Sequence, residues 1–541
     1  MTYLRQSRFA SGWRWQGIVA LLSLLRQRRK DLYAGVRVHA ANDPAHPALV
    51  TAHETFTYKE LDFFADQFTR ALDDAAIHAG DKIVVALGNT TAGVIATIGA
   101  GNLGSVVVPI SPYASSEELV YVVRHADARV ICLNHEQWLC LNDETRDFLG
   151  SRLVIVHGEE TPKQAVSWDH FITHHSHHRK TKPSRHGADL MLYTSGTTGQ
   201  PKGALLDTHH ISYLRAYEVM SRLGITRYDR FHTACPFYHA APQALIGFVL
   251  TLGGTVYLDE KFDAENTHAL WERADITSTF VVPTQIVRLL EKENGLATPP
   301  KTLTRLICGG APLAASLKKK TLETFGPILY DFYGATELGM VSLATPELLQ
   351  KKPATVGSPF PGVDVKLITE DGSEAIANEL GEIFVSSDQF NFQYYKDPPA
   401  TQKALRGNYR TVGDIGYKDR DGDLFIVDRK TDMMISGGEN IYPAEIEHTL
   451  LQHPHIADVA VVGEPDNEWG ERVCAFIVPR EGKTLTACEV IEFCANHLSS
   501  MKKPRRVVFV KEIPRNTQGK ILKRQLREEL KPNQPAPAIQ P

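Results

Sequence analysis

Paired cysteines are absent from this chain. Its 541 residues include seven cysteines, and no two of them form a Cys-x-x-Cys motif. This scarcity argues against a zinc site built on cysteine pairs and against a disulfide framework. We therefore interpret the cysteines as reduced thiols and predict a cytoplasmic location.

An excess of charge of either sign is also missing. Lys and Arg total 59 against 63 Asp and Glu, which gives a formal net charge of −4. Nucleic acid is therefore not an expected partner, because its binding relies on a strongly basic surface. Hydrophobic residues make up 43% and charged residues 23% of the chain. This composition is that of an ordinary globular protein.

Long hydrophobic runs are missing as well. The apolar run Ile18–Leu25 is too short to span a bilayer, and no small-residue cleavage site follows it, so a secretory signal is not expected. Arginines and the pair Trp13 and Trp15 flank this run. We predict a basic amphipathic extension over residues 1–35. It either packs on the large domain or makes a peripheral membrane contact through residues 1–30.

What the chain does contain is a regular alternation of strand and helix patterns. The alternation runs from His39 to Val156 and again from Phe231 to Cys308, and it predicts parallel sheets covered by helices. Val356–Ser387 has short strands and tight turns instead, which is typical of a small barrel. The predicted fold class is α/β, with two βα-layered sheets and a small β-barrel in a large N-terminal domain. A small mobile α+β domain follows.

The domain boundaries follow from these changes of pattern. We place the large domain at residues 36–428 and the small C-terminal domain at 429–530. Residues 531–541 contain four prolines and are predicted to be disordered. The histidine-rich segment Ser167–Gly187 is predicted to be a solvated linker between two ordered units.

The stretch Tyr193–Gly203 has the composition of a phosphate-binding loop. Its glycines allow successive backbone N–H groups to form an anion-binding concavity, and its hydroxyls add further donors. It is not a Walker A loop, because no Gly-Lys-Ser/Thr end occurs at the required spacing. The candidate phosphate-binding residues are Thr194, Ser195, Gly196, Thr197, Thr198, Gly199 and Lys202.

The full Tyr193–Gly203 string resembles the signature loop of the adenylate-forming superfamily. That superfamily includes acyl-CoA synthetases, luciferases and the adenylation domains of peptide synthetases. Two more matching segments, Cys308–Leu313 and Tyr330–Glu337, each follow a strand, where ligands bind in open α/β sheets. The resemblance runs from the region of Val50 to about Glu529. It contains every main motif in the expected order.

This resemblance implies a nucleotide site made from both segments. Thr336 would contact the α-phosphate, with a catalytic role. Glu337 and Thr194 would hold Mg²⁺, which prefers oxygen ligands. The residues that would line the adenine pocket are Gly310, Ala311, Tyr333 and Gly334.

Three later motifs extend the resemblance. Asp414 would accept hydrogen bonds from the ribose hydroxyls, and Arg429 would bind the ribose side of ATP. Thr431 would be the interdomain hinge, at a position that is usually Lys or Asp in the family. Lys520, within Pro514–Lys523, would bind ATP and act as the catalytic cation. The CoA-binding lip would consist of Gly437, Gly438 and Glu439.

The acyl group would bind beside Pro236–Gln243, which resembles the pocket wall of acyl-CoA synthetases. His239 follows an aromatic residue there and would act at the carboxylate. Apart from this histidine, Phe237–Leu252 contains no residue that carries a charge. This favours an apolar monocarboxylate, either a medium- or long-chain fatty acid or a bulky ring acid. The acyl-pocket residues would be His239, Gln243, Gly309 and Gly334.

The activity that the resemblance implies is that of an ATP- and Mg²⁺-dependent acyl-CoA ligase. A carboxylic acid and ATP would give an acyl-adenylate and pyrophosphate, and the CoA thiol would then give acyl-CoA and AMP. The small domain would rotate between the steps. Four alternatives stay open: transfer to a carrier-protein phosphopantetheine, a luciferase-like oxygenase, a non-catalytic module that binds AMP or acyl chains, and a membrane scaffold that uses the N-terminal basic helix. A homodimer is a further open alternative.

Overall fold

The structure is a computed structural model. It describes residues 14–26, 34–173, 189–194, 201–207, 213–291, 299–389, 391–436, 439–466, 469–516 and 519–530. Within these ranges, no helix has both the length and the apolar composition that traversing a lipid bilayer requires. The predicted disordered tail at 531–541 lies outside the described residues.

The first sheet has eight strands and carries the phosphate-binding loop. Six of its strands, including Leu190–Thr194, are parallel to one another. At one edge, Lys202–Asp207 pairs antiparallel with Leu190–Thr194, and Asn391–Tyr394 pairs antiparallel with Lys202–Asp207. Their order is Asn391–Tyr394, Lys202–Asp207, Leu190–Thr194, Val106–Pro109, Lys82–Ala86, Ala128–Asn134, Leu153–His157 and Val166–Ser167.

The second sheet has nine strands and carries the other two strand-end segments. Its six central strands pair in parallel, and antiparallel strands close both edges. Their order is Ser358–Pro359, Gly339–Ala344, Leu329–Ala335, Arg305–Cys308, Ser278–Val281, Arg230–Thr233, Thr255–Leu258, Pro47–Val50 and Thr55–Thr57.

Two smaller sheets follow along the chain. The third is a six-stranded antiparallel sheet in the region predicted as a barrel, and it extends beyond that prediction to residue 429. The fourth has five strands. The strands of the third sheet are Val363–Ile368, Gly381–Ser387, Leu405–Arg406, Tyr409–Arg410, Asp414–Lys418 and Leu424–Arg429. Those of the fourth are Met434–Ser436, Glu439–Ile441, Ile456–Asp466, Gly470–Pro479 and Arg506–Phe509.

Helices cover the sheets, as the α/β prediction requires. In the large N-terminal part they are Trp15–Arg26, Ala34–Asn42, Tyr58–Asp74, Thr91–Leu103, Ser116–Ala126, His135–Cys140, Asp143–Leu149, Trp168–Thr173, Tyr213–Leu223, Ala240–Leu252, Ala264–Arg273, Pro283–Glu291, Ala315–Phe325, Pro346–Lys351 and Pro398–Lys403. Around the fourth sheet they are Pro443–Leu450, Ala487–His497, the short 3₁₀ helix Ser500–Lys502 and Lys523–Glu529.

The helix Thr91–Leu103 shows how local sequence fixes these elements. The Thr90 side chain caps its first turn, and Gly104 ends it with a φ of 84°. A Cβ atom at Gly99 would lie 2.8 Å from the Phe68 ring, so glycine lets this helix pack closely on its neighbour. The small residues of this helix are therefore a packing requirement.

The two large sheets share one hydrophobic core. It contains Val85 and Val107 from the first sheet together with Phe231 and Ile307 from the second. The fourth sheet has separate cores on its two faces. This arrangement confirms the predicted α/β class with a distinct C-terminal unit, while the boundary between residues 428 and 429 stays a prediction.

The prediction of a solvated linker over Ser167–Gly187 is wrong in its first part. Trp168–Thr173 forms a helix. Trp168 stacks on Phe68 with ring centroids 5.2 Å apart, and Phe171 meets the same ring edge-on at 5.6 Å. Two aromatic residues that can reach a core outweigh the polar composition around them. The rest of the predicted linker, residues 174–187, lies outside the described residues.

A buried ion pair supports the strand that leads into the second sheet's site. Lys318 and Asp331 are each at most 3% exposed, and Lys318 Nζ lies 2.6 Å from Asp331 Oδ2. Lys318 also donates to the Thr355 carbonyl at 2.8 Å. Burial raises the pKa of Asp331, and the ammonium of Lys318 opposes that rise. The pair fixes Leu329–Ala335 against the helix Ala315–Phe325.

We expect Asp331→Ala to destabilise the large N-terminal part by about 3–5 kcal/mol, because it leaves the Lys318 ammonium buried without its carboxylate. Denaturant unfolding monitored by tryptophan fluorescence measures this loss. The double variant Lys318→Met/Asp331→Leu, which removes both charges, is expected to regain most of the stability. A single variant as stable as the parent would contradict this account.

Candidate active site

The two large sheets meet where their strands end. Thr194 is the last residue of Leu190–Thr194 in the first sheet, and Glu337 lies in the turn after Leu329–Ala335 in the second. The Thr194 hydroxyl donates to Glu337 Oε1 at 3.2 Å. The structure thus brings together two residues that were predicted to share a metal.

Three polar groups converge on Glu337, which is 7% exposed. Besides Thr194, the Tyr394 phenol donates to Glu337 Oε1 at 3.0 Å. The Arg410 guanidinium donates to the Glu337 carbonyl at 3.3 Å and to the Ser387 carbonyl at 3.3 Å. Both the carboxylate and the backbone of Glu337 are therefore held in position.

Lys202 lies next to this cluster. Its Nζ atom is 3.0 Å from Asp397 Oδ2 and 5.3 Å from the centroid of the Tyr394 ring. Tyr394 thus contacts both the predicted metal ligand Glu337 and the loop lysine. Burial, together with the charge of Glu337, raises the pKa of Tyr394. The phenol therefore keeps its proton and acts as a donor near neutral pH.

A second polar cluster stands on the third sheet. The Tyr333 phenol donates to Asp414 Oδ2 at 2.7 Å, and Arg429 Nε donates to Asp414 Oδ1 at 3.1 Å. Burial raises the pKa of Tyr333, and the charge of Asp414 raises it further. Asp414 itself is 6% exposed. The three residues predicted to surround the nucleoside are therefore in direct contact.

The glycines of the predicted adenine wall have steric reasons. Gly310 has a φ of 85°, a backbone conformation that is strained for residues with a Cβ atom. A Cβ atom at Gly334 would lie 2.3 Å from the Gly339 carbonyl oxygen. At Gly309 it would lie 2.6 Å from the Phe332 ring. Ala311 and Thr336 are half-buried in the adjoining turns.

Lys520 reaches the same cleft from the C-terminal unit. Burial lowers the pKa of Lys520 and the positive charge of Arg429 lowers it further, whereas Asp414 and Glu337 raise it. Next to it, a Cβ atom at Gly519 would lie 3.1 Å from the Thr284 side chain. The lysine loop therefore packs on the large N-terminal part.

Arg515 fixes the shape of the lysine loop. Its guanidinium donates to the Gly519 carbonyl at 2.8 Å and to the Asp458 carboxylate at 2.8 Å. The Lys520 backbone N–H donates to Asn516 Oδ1 at 2.9 Å. Lys520 is thus presented by a loop that is braced on the fourth sheet.

The predicted acyl-pocket residues His239 and Gln243 lie one helical turn apart. His239 precedes the helix Ala240–Leu252, so the two residues share a face. Burial lowers the pKa of His239 to about 4, and the nearby charge of Lys520 contributes. His239 is therefore neutral near pH 7. The buried Gln243 Nε2 has no hydrogen-bond partner among the described residues.

The remaining predicted residues are at the periphery or outside the description. Thr431 is exposed in a turn, and Glu439 is exposed at the start of a strand. Next to Glu439, Asn440 Nδ2 donates to Glu370 Oε1 at 2.9 Å. Ser195, Gly196, Thr197, Thr198 and Gly199 lie outside the described residues, and so do Gly437 and Gly438.

Tyr394, Asp397 and Arg410 complete the cluster, although sequence reasoning did not select them as site residues. Tyr394 arrives because its strand pairs with Lys202–Asp207, with Tyr394 opposite Ala204. This pairing joins segments almost two hundred residues apart, so a local sequence pattern could not predict it. The adjacent tyrosines Tyr394 and Tyr395 are the local feature that could have drawn attention to this strand.

One acidic group resembles a metal site but contains an internal cation. Among the described residues, Asp419, Asp421 and Asp423 are the single set of three or more potential ligands that lie close together. Lys352 Nζ lies 2.5, 2.6 and 2.7 Å from their carboxylates. This group is therefore an ion-pair network.

Comparison with known proteins agrees with this arrangement along most of the chain. The family model of the AMP-binding enzymes matches residues 36–395, and that of the AMP-binding enzyme C-terminal domain matches residues 445–520. The structure superimposes on ATP-bound MatB from Rhodopseudomonas palustris with a TM-score of 0.83 at 27% identity. The match covers 93% of this chain and 99% of that one.

Three relatives, each named for an acid ligase activity, illustrate the similarity in sequence. A 2-succinylbenzoate–CoA ligase of Geobacillus sp. (strain WCH70) is 29% identical over 87% of this chain and 92% of its own. An indoleacetate–CoA ligase of Aromatoleum aromaticum is 30% identical over 91% and 96%, respectively. The fatty acid–[acyl-carrier-protein] ligase ScoC of Streptomyces coeruleorubidus is 29% identical over 91% and 94%.

Thr194 and Glu337 fall within the first matched family region and Lys520 within the second, and Asp414 and Arg429 lie between the two. The chain belongs to the AMP-binding enzyme family, the adenylate-forming enzymes that its motifs resemble, and it is an acid–thiol ligase.

Proposed function

We propose that this enzyme joins an apolar carboxylic acid to CoA in two steps. The acid and ATP give an acyl-adenylate and pyrophosphate, and the CoA thiol then releases AMP. The observation that carries the proposal is the position of Lys520. It belongs to the C-terminal unit, yet its pKa responds to Glu337, Asp414 and Arg429 in the cleft. We take residues 36–428 and 429–530 as the two cooperating domains.

Asp414 is suited to bind the ribose. Tyr333 donates to one of its oxygens and Arg429 to the other. A carboxylate offers about four acceptor positions, so two remain for the ribose hydroxyls. Gly334 follows Tyr333 directly, and Gly310, with a φ of 85°, presents no side chain to a flat base. These contacts support a nucleoside between the second and third sheets.

The phosphates would face three cations. Lys520 and Arg429 are cations close enough to affect each other, and Lys202 adds a third from the phosphate-binding loop. Attack of a carboxylate on the α-phosphorus brings two anions together, so charge neutralisation is the main catalytic requirement. Loss of one such group commonly lowers the rate by about 10²–10³-fold.

Glu337 and Thr194 offer the oxygen ligands that Mg²⁺ favours, and the buried carboxylate fits such an ion. When bound, Mg²⁺ would supply charge neutralisation at the phosphates. Tyr394 and Arg410 keep Glu337 in place from two sides. The residues of this chain therefore orient the carboxylate before any ion arrives.

In the first step, an oxygen of the substrate carboxylate would form a bond to the α-phosphorus while the bond to pyrophosphate breaks. In the second step, the CoA sulfur would form a bond to the acyl carbon. The bond to AMP breaks and the thiol proton is lost. Rotation about Thr431 would withdraw Lys520 and bring Gly437, Gly438 and Glu439 to the cleft. In the structure, Asn440, which follows Glu439, donates a hydrogen bond to Glu370.

The acyl site favours an uncharged acyl group. His239 is neutral near pH 7, because its pKa is lowered to about 4. Phe237–Leu252 offers no lysine or arginine that could pair with a second carboxylate. Of the substrates after which the relatives are named, indoleacetate and fatty acids fit this uncharged acyl site better than 2-succinylbenzoate, which is a dicarboxylate. Gln243 Nε2, which has no hydrogen-bond partner in the described part of the chain, is a donor that a polar atom of a ring acid could use.

A carrier protein is the alternative acceptor, because the similar ScoC is named as an acyl-carrier-protein ligase. The chemistry of the adenylate step is the same for both acceptors. Only the partner that presents the phosphopantetheine thiol differs.

The substrate prediction is tested by pyrophosphate release with a panel of acids: acetate to palmitate, benzoate, cinnamate, indoleacetate, 2-succinylbenzoate and a bile acid. We expect apolar ring acids or the longer fatty acids to exceed both acetate and 2-succinylbenzoate by about tenfold or more, since an unpaired second charge in a buried pocket is costly. The best acid is then offered with CoA or a holo carrier protein. Fastest release with 2-succinylbenzoate would refute the substrate class.

Lys520→Ala separates the two half-reactions. We expect acyl-adenylate formation to fall by about 10²–10³-fold, because the transition state loses a cation. Conversion of added acyl-adenylate and CoA to thioester is expected to stay within about twofold. The control is Lys511→Ala, an exposed lysine of the same unit. Equal loss of both half-reactions would contradict the alternating use of the C-terminal unit.

Tyr394→Phe tests the support of Glu337. It removes one hydrogen bond to a charged group, typically about 1.5–3 kcal/mol, but keeps the ring beside Lys202. We expect the Kd for ATP with Mg²⁺, measured by calorimetry, to rise by about tenfold or more, and the thioester step to be unchanged. Tyr395→Phe, which alters a bond to Asp127, is the matched control. An unchanged Kd would show that Thr194 alone suffices.

A further inference from the structure

The N-terminal helix Trp15–Arg26 exposes an apolar stripe. Trp15 is 74% exposed, Val19 46% and Leu22 56%. Their spacing of four and three residues places them on one face of the helix. We call these three residues the outer stripe. Large apolar side chains concentrated in this way on one exposed face indicate a surface that meets a partner.

The opposite face of the same helix is already used. A Cβ atom at Gly17 would lie 2.6 Å from the Asn42 side chain, and Leu21 packs on Ala34 and Val38. The Arg14 N–H also donates to Asn42 Oδ1 at 2.8 Å. These contacts orient the helix on Ala34–Asn42 with the outer stripe turned away from the protein. They match the predicted alternative in which the extension packs on the large domain.

The composition of this region identifies the partner. Residues 1–30 contain seven Arg or Lys and no Asp or Glu, whereas the whole chain has a net charge of −4. The rest of the chain therefore carries −11. A second copy of residues 1–30 would bring two sets of seven positive charges together, whereas an acidic surface would be attracted. An apolar stripe within a basic segment is the combination that binds an anionic lipid surface.

The helix is suited to lie along a membrane rather than to cross it. Its 12 residues measure roughly 18 Å, and about 20 residues are needed to span the hydrocarbon layer. No charged residue interrupts the sequence between Trp15 and Leu25. Tryptophan is also the side chain that favours the membrane–water interface.

We propose that the outer stripe docks this enzyme on an anionic lipid surface. The helix lies before residue 36, where the matched family region begins. The inference uses no residue of the active site and does not depend on the proposed substrate. It explains why an otherwise acidic chain concentrates positive charge beside exposed tryptophan.

Vesicle flotation of the full chain tests the proposal. One set of vesicles contains phosphatidylcholine alone, and in the other about a third of the lipid is phosphatidylserine. We expect at least about tenfold more protein to float with the anionic vesicles, and most of this binding to be lost near 0.5 M salt, where charges are screened within about 3–5 Å.

For the variant Trp15→Ser/Val19→Ser/Leu22→Ser, we expect the amount of protein that floats with anionic vesicles to fall at least about tenfold. Its rate of pyrophosphate release, measured without vesicles, is expected to equal that of the parent. The control is Ile376→Ser, which removes an apolar side chain that is 75% exposed elsewhere. Flotation equal for the triple variant and the parent would overturn the proposal. So would a dimer of the parent, seen by light scattering, that the triple variant abolishes while neither protein floats.

Discussion

The buried carboxylate of Glu337 is the constraint around which the cleft is assembled. Thr194 donates to it from the first sheet and Tyr394 from that sheet's antiparallel edge, while Arg410 of the third sheet donates to the backbone carbonyl of the same residue. A buried anion is tolerated only when donors surround it. The meeting of three sheets at one residue therefore satisfies an electrostatic requirement. The same requirement preorganises the place where the phosphates are expected.

Much of this architecture could be predicted from the sequence, because the informative residues stand at strand ends. Thr194 and Glu337 follow apolar runs that had to be strands, and parallel strands deliver their ends to one edge. Tyr394 could not be selected, because its place depends on pairing with a strand far away in sequence. The helix Trp168–Thr173 was missed for a related reason. Its aromatic residues are stabilised by Phe68, which only the folded chain brings near.

The charges of the cleft also connect the two units. Lys520 enters a space that already contains Arg429, and the pKa of Lys520 falls as a result of burial and of this neighbour. In the proposed closure, Lys520 would approach Arg429, a like charge, as well as the carboxylates of Asp414 and Glu337. A bound triphosphate would offset the repulsion between the two cations. With the proposed rotation of the small unit, nucleotide affinity and the orientation of that unit would be coupled reciprocally.

The ion pair between Lys202 and Asp397 has a consequence for anion selectivity. Whatever anion engages the ammonium has to replace an aspartate that is also the N-cap of the following helix. Chloride or a lone acetate offers a single charge and no second anchoring point, so the exchange brings it little net gain. A chain of phosphates brings several charges and reaches other donors at once. We therefore expect this lysine to favour polyphosphates over single monoanions.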